Sequence, residues 1–220
     1  MLDFLILQVT GDPGEAELTA IELLFKGGVL VIPILLLSVI SIYIMVERFI
    51  EIFKLTRIND SLLFRYNELI SQGNTVEARK LMATSEGSMN TIMVHAADQV
   101  GKAQAEMESA IELVSQTELN KMNRNLNYLG LIAGIAPMLG FVGTIMGVIK
   151  IFYNISITDN ISIGIISEGL YMKMISSGLG LTVGIIAFTG YHILVGMVSR
   201  FTARVEKECL DFFRLTGRKG

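Results

Sequence analysis

Three charge-free apolar stretches constrain this chain more than any other feature. Residues 27–46, 125–149 and 174–199 carry no Asp, Glu, Lys or Arg. Crossing ~30 Å of hydrocarbon takes roughly 20 residues at ~1.5 Å of rise each, and all three stretches are long enough. Inside lipid no water satisfies backbone polar groups, so each stretch must close its own hydrogen bonds as a helix. A buried helix of a soluble protein would keep a polar face, and these have none of any strength. Charged residues make up 18% of the chain and apolar ones 51%, against about a quarter charged in an ordinary soluble domain. The predicted fold class is an all-α membrane protein with three transmembrane helices and long cytoplasmic helical extensions.

Orientation follows from the basic residues, which mark the cytoplasmic side. The segment before span one holds five acids (Asp3, Asp12, Glu15, Glu17, Glu22) and one Lys. The 153–166 connection holds no Lys or Arg, whereas residues 47–124 hold nine and the tail after Ser199 holds six. The expected organisation is a periplasmic N-terminal segment at 1–26, span one at 27–46 and a cytoplasmic helical region at 47–124. Span two follows at 125–152, a periplasmic loop at 153–166, span three at 167–199 and a cytoplasmic tail at 200–220. The apolar run in residues 1–10 lacks a basic start and a small-residue cleavage site, so it reads as an amphipathic segment on the membrane surface rather than a cleaved signal.

Several function classes drop out early. A net charge of −3 gives no basic footprint for nucleic acid. Cys209 is the single cysteine, and no Cys/His cluster predicts a metal or another cofactor. His95 and His192 read as structural histidines. No GxxxxGK[ST], HExxH or GxSxG motif occurs, and the glycines of GFVGTIMG lie within an apolar span, so they do not form a phosphate loop. No catalytic residue is expected, and the chain does not read as an enzyme.

Residues 47–124 are rich in helix formers, punctuated by turns at Gly73-Asn74 and at 85–88. Asn74 stands three residues before Glu77 as an N-cap candidate. Apolar residues recur at helical spacing: Leu69, Val76 and Leu81, then Ile92, Met93, Val100, Met107, Ile111 and Val114. From Met89 to Tyr128 the only breaker is Gly101, which predicts one long helix running straight into span two. Such a helix cannot bury its apolar stripe by itself, and copies of the same chain are the simplest partners.

Spans two and three each carry a stripe of small residues. Ala133, Pro137, Gly140, Thr144 and Gly147 are spaced by three and four, as are Lys173, Ser177, Gly180, Gly184 and Ala187. In membranes such faces let helices approach closely, because packing replaces the hydrophobic effect. Plain packing accounts for the glycines. Thr144 and Ser177 have two readings: a hydroxyl in a span satisfies itself on its own i−4 carbonyl, and two hydroxyls on two packing faces also suit a proton or ion route. Lys150 at the outer end of span two reads as snorkelling to the interface. Lys173 either snorkels or faces an interior. Glu168 is five residues before Lys173, about 140° around a helix, so the two are poorly placed to pair.

The segment LIAGIAPMLGFVGTIMG (131–147) resembles the "APLLGLLGTVxGM" signature of the MotA/TolQ/ExbB proton-channel family. SGLGLTVGIIA (177–187) is similar to its "TAxGLxVAIPA" span, and KGGVLVIP (26–33) with Glu47-Arg48-Phe49 looks like the ExbB-type first helix. With three spans rather than four, the chain looks most like the ExbB/TolQ branch. The resemblance implies a homopentamer in a bacterial inner membrane, ringed by lipid. It would enclose an ExbD- or TolR-like single-span partner with one essential Asp and work with a TonB-like protein. It also implies that Thr144 and Ser177 line the proton path, with Lys173, Glu168 and Thr182 as further polar candidates. Pro137, Gly140, Gly143, Gly147, Gly180 and Gly184 would pack the helices. The expected function is a proton-channel subunit of an ExbB/ExbD-type motor that energises TonB-dependent outer-membrane transport. A TolQ-like envelope motor and a non-conducting scaffold are the alternatives. Three positions depart from the pattern: Ser177 replaces the second threonine, Ile186 replaces the proline, and Met172 stands where many members carry glutamate.

Overall fold

A computed structural model describes residues 29–158 and 163–217. The expected amphipathic segment, the first two residues of span one and residues 159–162 of the connection after span two lie outside the described residues. Seven helices make up the described chain: α1 (Val31–Leu55), α2 (Asp60–Gln72), α3 (Thr75–Ala83), α4 (Ser88–Gln99), α5 (Gln104–Asn123), α6 (Leu126–Thr158) and α7 (Ile163–Gly217). No strand occurs among the described residues. Three helical stretches, Val31–Gln72, Gln104–Ile157 and Gly169–Gly217, each contain a segment long and apolar enough to cross a membrane. Pro33 falls in the first turn of α1, where its missing N–H has no intrahelical partner to lose.

The long helix expected from Met89 to Tyr128 is not there. It is divided into α4, α5 and the start of α6. The first break is at Gly101, whose φ of 96° is left-handed and therefore suits glycine. A Cβ there would meet nothing within 4 Å, so the glycine is needed for its backbone and not for space. The second break is at Arg124, which is extended (φ −55°, ψ 135°), and Asn125, which is left-handed (φ 64°). Asparagine tolerates that region better than most residues.

The capping expectation also shifts. Asn74 makes no side-chain cap bond; its Nδ2 donates to the Glu77 carboxylate at 3.1 Å. Asn59 caps α2 instead, its Oδ1 accepting from the N–H groups of Ser61 (3.2 Å) and Leu62 (3.4 Å). Gly73 closes α2 in a left-handed conformation, φ 89°, a regular helix stop.

The chain divides into two compact units. One takes in the residues up to Ile40 and Ile132–Ile186, and so holds most of α6 and the N-terminal part of α7. The other takes in Ser41–Leu131 and Ala187–Gly220. The core of the second unit is built from Leu63, Tyr66, Ile70, Ala78, Met82, Met89, Ile92, Met93, Met107, Ile111, Met122, Phe201, Val205 and Phe212, all buried. Tyr66 is fully buried; its hydroxyl donates to the Met93 carbonyl at 2.9 Å, and its ring stacks on Phe212 with centroids 6.4 Å apart. Val76, one of the apolar residues at helical spacing, is exposed, and α3 buries Ala78 and Met82.

Arg48 is also fully buried in this second unit. Its Nη2 donates to Glu47 at 2.7 Å and to Glu51, and Nη1 reaches the Lys121 carbonyl at 3.5 Å. Three residues before Lys121, the buried Glu118 accepts from Ser88 Oγ at 2.7 Å and pairs with Lys121. Burying charge is costly unless it is paired and hydrogen-bonded; Glu118 meets that condition, and Arg48 meets it through both Nη atoms while its buried Nε has no partner among the described residues.

Candidate functional site

The site is built along the seam of α6 and α7 in the first unit. Small residues decide its geometry. A Cβ added to Gly180 would lie 2.5 Å from the Ala136 carbonyl and 3.0 Å from Gly140 Cα. One added to Gly140 would lie 3.0 Å from Ser177 Cα and 3.1 Å from the Ser176 carbonyl. Here backbone meets backbone, so any side chain would force the helices apart. Gly184 faces the ring of Pro137, and a Cβ on it would also lie 3.2 Å from the Ala133 carbonyl. Pro137 lacks the N–H that would bond that carbonyl, so the opening in the α6 ladder lies against a glycine.

Further along the seam the contacts become polar. Gly143 faces Ser176 Oγ, 3.0 Å from its Cβ position, and Ser176 is fully buried. Ser176 Oγ donates to the Lys173 carbonyl at 3.0 Å. Thr144 Oγ1 lies 3.3 Å from the Gly140 carbonyl of its own helix and 3.3 Å from the Lys173 carbonyl of α7, so its one proton is shared between the two helices. The stem of Lys173 lies across Gly147, where a Cβ would collide with Cγ, Cδ and Cε.

The predicted residues are therefore placed as follows. Thr144, Lys173, Gly140, Gly143, Gly147, Gly180, Gly184 and Pro137 meet on the seam. Ser177 reaches it through its backbone, and its side chain is half-buried. Thr182 is exposed on another face of α7 and donates to the Gly178 carbonyl at 2.8 Å. Glu168 is helical, but its side chain lies outside the described residues. Ser176 was not singled out from sequence. Two adjacent serines both fit steps of three and four, so spacing cannot separate them; burial does. Each histidine bonds the carbonyl four residues back, His95 to Thr91 at 2.9 Å and His192 to Phe188 at 3.0 Å. Among the described residues no group of His, Cys, Asp or Glu is arranged to hold a metal.

Such a seam, with small residues at one end and the shared Thr144 hydroxyl at the other, sits inside the part of the chain that decides its family. Residues 78–207 match the MotA/TolQ/ExbB proton channel family. The chain belongs to that family. Relatives carry ExbB names. An ExbB homolog of Methanothermobacter thermautotrophicus is 26% identical over 189 residues, covering 86% of this chain and 67% of that protein. An ExbB-like protein of Synechocystis is 24% identical over 190 residues, covering 83% and 88%. The biopolymer transport protein ExbB of Helicobacter pylori is 29% identical over 91 residues, covering 40% and 63%.

Proposed function

We propose that this protein is the proton-path subunit of an ExbB/ExbD-type motor in a bacterial inner membrane, with its N-terminus periplasmic and its C-terminus cytoplasmic. Five copies would enclose the single membrane helix of an ExbD- or TolR-like partner, and a TonB-like protein would carry the work to outer-membrane transport. The observation that supports this reading is the Thr144 hydroxyl shared between α6 and α7, on a glycine-rich seam that also holds Ser176 and the Lys173 stem.

The chemistry is one of differential solvation. A carboxylate on the partner helix is costly beside small apolar residues when ionised and cheap when protonated. Hydroxyls stabilise the ionised form at one position. A proton moving inward neutralises it and releases the partner to step. One charge crossing 100 mV supplies about 2.3 kcal/mol, enough to bias two packed states and too little to unfold either.

Thr144→Val is the direct test. In vesicles holding this chain and its partner, proton flux should fall about 100-fold, as for loss of a positioned proton-transfer group, while the complex stays assembled. Loss of assembly instead makes Thr144 a packing residue. A second reading, a non-conducting scaffold, draws on two facts: Met172 stands where many family members carry glutamate, and the Thr144 proton is already shared between two carbonyls. A neighbouring gene for a single-span protein with Asp in its span favours the motor, ExbB-like or TolQ-like.

A further inference from the structure

We propose that Lys173 is the fixed cation of a notch in the span wall, and that its occupant is a carboxylate on the membrane helix of a partner chain. The inference rests on the motor reading in one respect: a partner helix must stand against this wall.

Four observations carry it. The first is that the lysine is held in place. Its stem is laid over Gly147, and its carbonyl accepts from both Thr144 and Ser176, which fixes the backbone that carries it. The second is that it is half-buried, and no ion pair engages it among the described residues. Third, the charged side chains described in this unit are Lys150 and Lys173, both basic. Glu168, whose side chain lies outside the described residues, is five positions away and about 140° around the helix. Finally, the lysine has a definite level. Gly147 stands one turn inward of Lys150 on α6, about 4.5 Å along the axis, so Lys173 crosses the seam inside the exposed Lys150.

A lysine within a span is costly by itself and characteristically faces a bundle interior or pairs with an acid. Interfacial snorkelling would send the stem outward along lipid, whereas here it is spent on a glycine of the neighbouring helix. With Lys150 at the end of the apolar run reaching the interface, lipid phosphates would lie outside it. The anion at the level of Gly147 is one carried inside a span, and a carboxylate on a partner helix supplies it with complementary charge.

The test uses the full chain co-purified with its single-span partner from native membranes. Lys173→Met keeps the apolar stem over Gly147 and removes the charge; Lys173→Arg keeps the charge. Native mass spectrometry reads partner retained per ring, and size exclusion confirms that the ring is folded. Lys173→Met should lose partner about tenfold or more, the usual scale for unpairing a desolvated charge, and Lys173→Arg should restore it. In a Cys209→Ser background, Lys173→Cys should cross-link by oxidation to a cysteine placed at the partner's carboxylate position. Full retention in Lys173→Met with no cross-link overturns the notch and leaves the motor reading standing. Loss of anionic lipid from Lys173→Met, with partner unchanged, assigns the charge to a headgroup and also overturns it. Absence of any single-span partner in the unmodified protein overturns both.

Discussion

The seam of α6 and α7 and the core around Tyr66 bury polar atoms in opposite ways. On the seam, glycines bring backbones into contact, the Thr144 hydroxyl reaches the Lys173 carbonyl across the gap, and Ser176 donates to that same carbonyl within α7. The core around Tyr66 is filled by long adaptable side chains, with Met82, Met89, Met93, Met107 and Met122 all buried, and its charges are paired as at Arg48 and Glu118. The difference follows from what each surface would otherwise touch. In lipid, apolar area gains nothing by burial, so closeness and polar satisfaction hold helices together. Outside the spans, apolar area removed from water is the main driving term, and thioethers fill an irregular interior well. The seam should therefore be intolerant of added atoms, and the core intolerant of lost partners.

Gly180→Leu gives the largest expected effect. Even a methyl would stand 2.5 Å from the Ala136 carbonyl, and backbone cannot swing aside. Overpacking of this kind costs about 3 kcal/mol or abolishes folding; thermal unfolding in detergent reads it. Gly147→Ala is the control, since the colliding atoms belong to the Lys173 stem and not to backbone, and its loss should be about 1 kcal/mol, the low end of overpacking. Equal losses at the two glycines would mean that backbone proximity does not organise the seam.

Arg48→Ala probes the other half of the comparison. Removing one partner of a buried ion pair costs about 3–5 kcal/mol when the remaining charge stays buried. Glu47 and Glu51 keep 34% and 38% of their side-chain surface exposed, so they rehydrate, and a loss of about 2 kcal/mol is expected after that discount. Urea unfolding of the purified protein measures it. A change under about 0.5 kcal/mol would place Arg48 among ordinary surface charges and remove the contrast with the seam.

Much of this is legible in the sequence. Charge-free runs fix the helical class of the spans because lipid leaves the backbone no alternative, and steps of three and four draw the small-residue stripes. The breaks were less legible. An isolated Gly101 within a helical pattern is tolerated often enough to be read through, and Asn125 sits beside an apolar run that masks its left-handed turn. Nothing local separates Ser176 from Ser177, because adjacent residues differ only in which neighbour they meet. The burial of Arg48 depends on residues more than seventy positions away, such as Lys121, and no spacing rule reaches that far.

The smallest prediction tests the packing of α5 and α7 around Cys209. Cys209 lines a cavity of about 360 Å³ with Ile111, Ser115 and Phe213, and burial, aided by the charges of Glu208 and Glu206, pushes its thiol up from about 9 to about 11. The unfolded thiol releases its proton near pH 9 while the folded one keeps it, so this contribution to stability is complete below pH 9 and is lost as pH rises towards 11. The slope for one proton is at most about 1.4 kcal/mol per pH unit. Burial also pushes Tyr66 up from about 10, with the same sign from a higher starting pH. Cys209→Ser should therefore flatten the fall in stability between pH 9 and 10 and leave the steeper fall above it. Alkylation of Cys209 in the folded protein should accelerate with a midpoint near pH 11. A midpoint near 9 would mean that the thiol meets water freely and that the helices around it are apart.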